Sequence, residues 1–306
     1  MVYIILVSGL IILLVGGKFL VDGASSVALK FGLSPGLIGL TVVAFGTSAP
    51  ELLVSINAAI KGTSDIAIGN VVGSNIANIS LVLGISTILY PIILPKSVLK
   101  LDYLFALIAT LLFYLISLNL EISRIEGIIL TVLLVVINIY IYQKLKGVDQ
   151  IEEITDQKPK NGIMSIGLLV LGVVGLYFGS DMFVDSAVEI SRVFGVSERV
   201  IGVTVIAIGT SLPELTTSVI AAINKKTDIA IGNILGSNMM NVFGIIGITA
   251  IVQPIPVSDV FLKQDYLWMI GLTLLLFPIL KTKLKVSRIE GGILLLAYMI
   301  YMITIL

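Results

Sequence analysis

Ala44-Phe45-Gly46-Thr47-Ser48-Ala49-Pro50-Glu51-Leu52-Leu53-Val54-Ser55 returns as Ala207-Ile208-Gly209-Thr210-Ser211-Leu212-Pro213-Glu214-Leu215-Thr216-Thr217-Ser218, an offset of 163 residues (207 − 44). Each copy sets a carboxylate, Glu51 or Glu214, inside an apolar segment, 35–60 or 198–223. A helix of about twenty apolar residues crosses roughly 30 Å of hydrocarbon, so both carboxylates are expected near mid-bilayer. An ionised carboxylate there costs roughly 2.5–3.5 kcal/mol and persists only where something offsets it. The spacing supplies the offset. Thr47 and Glu51 lie four apart, and Ser48, Glu51 and Ser55 follow at three and four, so each copy predicts a stripe of oxygens on one helix face. Pro50 and Pro213 have no N–H, which releases the carbonyls of Gly46 and Gly209 and disturbs the turns at Ala44 and Ala207. Loosened carbonyls at membrane depth are tolerated where they line a protein-enclosed cavity.

Outward from this stretch, Phe31–Ser80 aligns without a gap on Phe194–Phe243 with 28 identities in 50 positions. The chain is a duplication. The offset holds at Asp22/Asp185 and Asp102/Asp265 and slips by one at Ser123–Gly127 against Ser287–Gly291. The next segment of each copy reads Gly69-Asn70-Val71-Val72-Gly73-Ser74-Asn75-Ile76-Ala77-Asn78 and Gly232-Asn233-Ile234-Leu235-Gly236-Ser237-Asn238-Met239-Met240-Asn241. Asn70, Ser74 and Asn78 recur every four residues, as do Asn233, Ser237 and Asn241, giving a second oxygen stripe. Gly69/Gly73 and Gly232/Gly236 are small-xxx-small pairs that predict close helix packing. Two carboxylates with hydroxyls, amide oxygens and carbonyls make a hard, all-oxygen centre of charge minus two, which balances one Ca²⁺ and can hold Na⁺ instead.

Composition agrees with a membrane solvent. Of 306 residues 57% are apolar and 12% charged, and mean hydropathy is +1.12. Apolar runs predict ten segments, 2–29, 35–60, 66–91, 101–120, 125–143, 163–191, 198–223, 229–252, 265–280 and 289–306. The first reads as a retained transmembrane helix rather than a cleaved signal. The expected fold is an all-α integral membrane protein of ten transmembrane helices in two repeats of five, 1–143 and 163–306, joined by a solvated linker at 144–162 with helices 2/3 and 7/8 as its ion-binding core. Five crossings per repeat put the second copy in from the opposite side, so the repeats are expected to be inverted, with the site near the midplane. Thirteen Lys and Arg residues on the linker side against five on the other predict a cytoplasmic linker and both termini outside, in a multi-pass protein of the cell membrane. With neither His nor Cys, zinc sites, disulfides and thiolate chemistry are excluded, and equal numbers of acidic and basic residues point to no nucleic-acid partner.

These paired motifs resemble the two alpha-repeats of the Na⁺/Ca²⁺ exchanger family within the cation/Ca²⁺ exchanger superfamily, and the short linker resembles a minimal prokaryotic member. The resemblance implies Glu51 and Glu214 as central ligands. It adds Thr47, Thr210, Ser48, Ser211, Ser74, Ser237 and the carbonyls of Ala44 and Ala207. Asn78 and Asn241 fall where K⁺-dependent relatives carry an Asp in the second repeat, which argues against K⁺ co-transport. The implied function is antiport, with Na⁺ driving Ca²⁺ outward by alternating access and long, tilted first and sixth helices sliding over the core. No catalytic residue, prosthetic group or obligate protein partner is expected; the partners are the lipid bilayer and the transported Ca²⁺ and Na⁺.

The alternative is an H⁺/Ca²⁺ exchanger of the same fold. An intramembrane hydrolase would leave the duplicated helix breaks without a role, and a channel would need no counter-ion. A purely structural ion pair is disfavoured because neither motif contains Lys or Arg. Ser55, Ser218, Asn70, Asn233, Asn75 and Asn238 read equally well as interhelical hydrogen bonders. Asp65 and Asp228 read as helix caps. Asp22, Asp185, Asp181 and Glu189 have no assigned role.

Overall fold

The computed structural model describes residues 2–95, 98, 101–145, 162–194, 207–281 and 284–305. The helices are α1 (Val2–Phe31), α2 (Pro35–Thr47), α3 (Ala49–Ile60), α4 (Ser64–Leu89), α5 (Asp102–Ser117), α6 (Arg124–Leu145), α7 (Gly162–Val193), α8 (Ala207–Thr210), α9 (Leu212–Ile223), α10 (Thr227–Val252), α11 (Asp259–Lys281) and α12 (Arg288–Ile305). Among the described residues seven helices are long and apolar enough to cross a membrane, and α2 with α3, bent by 45°, makes an eighth if read as one span. α5 and α9 are apolar but shorter. The expected fourth segment, 101–120, stops at Ser117 because the chain turns through Leu120 at φ 65° into a short strand. The linker at 146–161 and the opening of the seventh segment, 198–206, lie outside the described residues, as do Lys96, Lys100, Lys146, Lys158, Lys160, Arg199 and Lys283 of the charge count.

Two helices form the interior. In the apolar windows of α10 and α4, 89% and 78% of residues are buried, against 22–33% for α1, α6, α7, α11 and α12. The outer helices instead present Ile4, Leu14, Val132, Ile166, Leu274 and Ile300 outward, as a lipid-facing surface must. The polar stripes of α4 and α10 thus turn inward, where their partners are.

The two repeats interlock. The end of α4 packs on α12, and the end of α10 packs on α6. At each contact glycines meet: a Cβ at Gly291 would lie 2.9 Å from the Gly84 carbonyl oxygen, and one at Gly127 would lie 2.7 Å from that of Gly247. Gly84 and Gly247 are repeat mates, and so are Gly127 and Gly291, so one contact is built twice. Two-residue strands close the ends. β1 (Ile92–Ile93) pairs antiparallel with β4 (Lys285–Val286), and β2 (Glu121–Ile122) with β3 (Ile255–Pro256).

α1 and α7 run antiparallel along the outside and meet through glycines. Cβ atoms at Gly9, Gly16 and Gly23 would come within 2.8 Å of the backbone nitrogens of Phe183, Leu176 and Leu169. Spacing of seven keeps all three on one face of α1. The hydroxyls of Ser26 and Ser165 lie 2.7 Å apart, adding a polar contact to the pair.

Candidate cation-binding centre

The proline in each motif marks a real break. Ser48 (φ −87°, ψ 7°) separates α2 from α3, and Ser211 (φ −90°, ψ 5°) separates α8 from α9. Pro50 and Pro213 then sit at the second position of a new helix, where a missing N–H costs nothing. The continuous stripe expected across Thr47, Ser48 and Glu51 is therefore redirected. Thr47 Oγ1 donates to Asn233 Oδ1 at 3.1 Å and lies 3.4 Å from Ser237 Oγ, both on α10. Ser48 Oγ donates to Glu214 Oε1 at 2.9 Å, across to the other repeat. Ser211 turns instead to α4, donating to Ser74 Oγ at 3.5 Å.

The freed carbonyls are only partly free. Ala44 O accepts from Ser48 N at 3.0 Å and from Thr47 Oγ1 at 3.2 Å. Gly209 O takes a 2.9 Å hydrogen bond from Ser180 Oγ on α7. Ser180 went unread in the sequence, although a signal was there: its repeat mate is Gly17, so the hydroxyl exists in one copy only. The Ala207 backbone lies in α8.

Asn70 Nδ2 donates to Ser55 Oγ at 2.9 Å and to the Glu51 carbonyl at 3.1 Å. Its mate Asn233 donates to Ser218 Oγ at 3.0 Å. These four residues fasten the third and eighth expected segments to the motif helices. Asn75 and Asn238 reach each other's carbonyls at 3.5 and 3.3 Å, and Asn241 Nδ2 donates to Asn75 Oδ1 at 2.9 Å. Asn75 thereby turns the carbonyl oxygen of Asn241 away from itself.

What is left over defines the centre. Glu51 and Glu214 are each 1% exposed and act on one another electrostatically. Both Glu51 oxygens, Glu214 Oε2, both side-chain polar atoms of Asn78 and Asn241 Oδ1 are buried with no hydrogen-bond partner. Buried polar atoms in folded proteins are nearly always satisfied, so these unpartnered carboxylate and amide oxygens are suited to holding a hard cation. Asn78 begins a π-helical turn, Asn78–Val82, and Asn241 lies within another, Met240–Ile246; such turns are frequent at functional sites. Thr47, Ser48, Ser74, Ser211 and Ser237 are buried beside them, and Thr210 is half-buried in α8. Among the described residues no group of three or more Asp or Glu side chains is placed to hold a metal ion.

Residues 1–143 and 164–306 match the family described as sodium/calcium exchanger protein. The chain is 32% identical over 343 aligned positions to the sodium/calcium exchanger MaX1 of Methanosarcina acetivorans, covering 99% of this chain and 98% of that one. It is 33% identical to the inner membrane protein YrbG of Escherichia coli, over 86% and 83% of the two chains. A structure of the sodium–calcium exchanger NCX_Mj soaked without Na⁺ or Ca²⁺ superposes with a TM-score of 0.87, at 32% identity over 100% of this chain and 99% of that one. Two matched halves bounding the linker, whole-length relatives and a shared fold agree: this chain belongs to the sodium/calcium exchanger family.

Proposed function

We propose that this protein is an antiporter that exchanges Na⁺ for Ca²⁺ across the cell membrane, with the Glu51/Glu214 centre as its single coupling site. The observation that carries the reading is the set of buried oxygens without a protein hydrogen-bond partner: three carboxylate oxygens of Glu51 and Glu214 and the amide oxygens of Asn78 and Asn241. Two carboxylates match the charge of one Ca²⁺, and the surrounding hydroxyls of Thr47, Thr210, Ser48, Ser211, Ser74 and Ser237, with the Ala44 and Ala207 carbonyls, suit Na⁺. Because the two ions compete for the same carboxylates, loading one unloads the other, which couples the fluxes. Asn in place of a third carboxylate at positions 78 and 241 makes exchange independent of K⁺. A Na⁺ gradient directed inward then drives Ca²⁺ out.

Ten spans in two inverted repeats, with termini outside and the linker cytoplasmic, give this site alternating access to the two faces. The unequal hydrogen bonding of the repeats supports it: Glu214 accepts from Ser48, whereas the mate of Ser48, Ser211, bonds Ser74. In an inverted-repeat carrier the two halves exchange such roles as the site changes sides.

The test is Ca²⁺ uptake into proteoliposomes under imposed Na⁺, K⁺ and H⁺ gradients applied singly. Uptake driven by Na⁺ alone is expected. Uptake that follows the proton gradient and ignores Na⁺ would instead assign H⁺/Ca²⁺ exchange to the same centre.

A further inference from the structure

Lys226 ends the turn between α9 and α10, and its Nζ donates to Asp22 Oδ1 on α1 at 3.2 Å. Both residues are half-buried. Beside the pair, α1 closes on α9, the helix that carries Glu214: a Cβ at Gly17 would lie 2.9 Å from Thr216 Cγ2 and from Ile220 Cδ1. An ion pair thus fastens a peripheral helix to the turn that follows one of the two carboxylate helices.

The repeat mates provide an internal comparison. Asp185, the mate of Asp22, is exposed on α7, and so is Asp181 one turn before it, the mate of Lys18 (181 − 163). Two carboxylates four residues apart share a helix face, repel one another and cannot stand in lipid, so this face of α7 meets water. The place of Lys226 is taken by Thr63, which carries no charge (226 − 163). On α3, Leu53 and Val54 are exposed, whereas their mates on α9 are half-buried Thr216 and buried Thr217. Ser180, the mate of Gly17, bonds the Gly209 carbonyl rather than α3. The molecule is shut where α1 covers α9 and uncovered at the corresponding face of α3.

We propose that the Asp22–Lys226 ion pair is a latch that holds α1 shut over α9 and favours this conformer over its counterpart. The inference rests on the alternating-access reading, in which the two repeats exchange conformations. In the exchanged state α1 stands off α9, so Asp22 parts from Lys226 and is left as Asp185 is here, in water, with Lys18 one turn away on its own helix. When α7 closes over α3 no equivalent pair forms, because Asp185 meets Thr63 in the place of a lysine. The attraction therefore counts once and in one state only, and an interaction made in only one of two states shifts their populations toward that state.

The experiment is the rate at which a maleimide modifies a single thiol, Thr216→Cys beneath α1, in the full-length chain in detergent; the chain has no cysteine of its own. Asp22→Asn and Lys226→Gln are each expected to raise that rate about two- to fivefold, the range a partly exposed ion pair supplies, and together no further than either alone. The swapped pair Asp22→Lys with Lys226→Asp is expected to bring the rate back toward that of the parent, which a loss of packing would not do. The same thiol is followed as Na⁺ and Ca²⁺ are added. A rate that responds to the ions but not to Asp22→Asn or Lys226→Gln overturns the latch and leaves alternating access standing. A rate that responds to neither removes alternating access, and the latch with it. A rate raised by both variants but left high by the swap makes the contact a packing one and overturns the latch as well.

Discussion

Ser48 gives its hydroxyl hydrogen to the carboxylate of the other repeat, while both oxygens of Glu51 stand buried without a donor. A side chain so placed contributes to function rather than to stability, since an uncompensated buried carboxylate is among the most costly groups a protein can hold. Glu51→Gln and Glu214→Gln are each expected to abolish Na⁺-driven Ca²⁺ uptake while leaving thermal unfolding in detergent unchanged or raised, because an amide of the same shape removes the charge. Normal exchange in either variant would take that Glu out of the centre. Asn241 supplies a second expectation. Replacing it by Asp adds a third carboxylate, so Asn241→Asp is expected to make uptake respond to K⁺ where wild type does not; uptake indifferent to K⁺ in the variant removes position 241 from ion selection. The buried Asn and Ser stripes of α4 and α10 were legible because helical periodicity aligns residues four apart, whereas the stripe across Thr47, Ser48 and Glu51 is split by the break at Ser48. The π-turns at Asn78 and Asn241 were not, since one extra residue per turn leaves no periodic trace, and Ser180 showed only as a hydroxyl in one repeat with Gly17 as its mate.

Between elements the decisive feature is how closely backbones approach. α1 and α7 touch through glycines, and a Cβ at Gly172 would lie 2.6 Å from Leu20 N, whereas one at Gly167 meets no described atom within 4 Å. Gly172→Ala is expected to destabilise the protein by about 1–3 kcal/mol, with Gly167→Ala on the same helix near neutral. Equal melting temperatures for the two variants would mean that α1 and α7 are not packed this tightly. α1 is also tied to the core by Lys226 Nζ and Asp22 Oδ1 at 3.2 Å, with side chains 18% and 24% exposed. Its repeat mates are Thr63 and Asp185, so the second copy cannot form it. A double-mutant cycle of Asp22→Asn and Lys226→Gln is expected to give a coupling of about 1 kcal/mol, and a coupling of zero makes the contact incidental. Sequence located these helices through hydropathy and located the breaks through Pro50 and Pro213. It missed the Asp22–Lys226 pair because the partners are far apart in the chain, and it misread Asp65 as a cap because its acceptor role toward Ser258 depends on the fold.

For the whole molecule, the duplication makes a claim that no single helix can. Mirrored contacts, Gly84 with Gly291 and Gly247 with Gly127, and mirrored strand pairs follow from two copies of one unit wound around each other. If each copy crosses the membrane an odd number of times, corresponding corners must face opposite solutions. Lys61, at the end of α3, and Asn224, at the end of α9, are repeat mates (224 − 61 = 163) and both are exposed. The chain contains no cysteine, so single thiols can be introduced without background. If, as the excess of Lys and Arg predicts, the Lys-rich side is cytoplasmic, Lys61→Cys is expected to react with an impermeant maleimide applied outside intact cells, and Asn224→Cys only after the membrane is opened. The reverse pattern would invert the orientation and keep the repeats antiparallel. Labelling of both positions from the same side would instead require an even number of crossings between them, and alternating access through exchanged repeat conformations would lose its geometric basis.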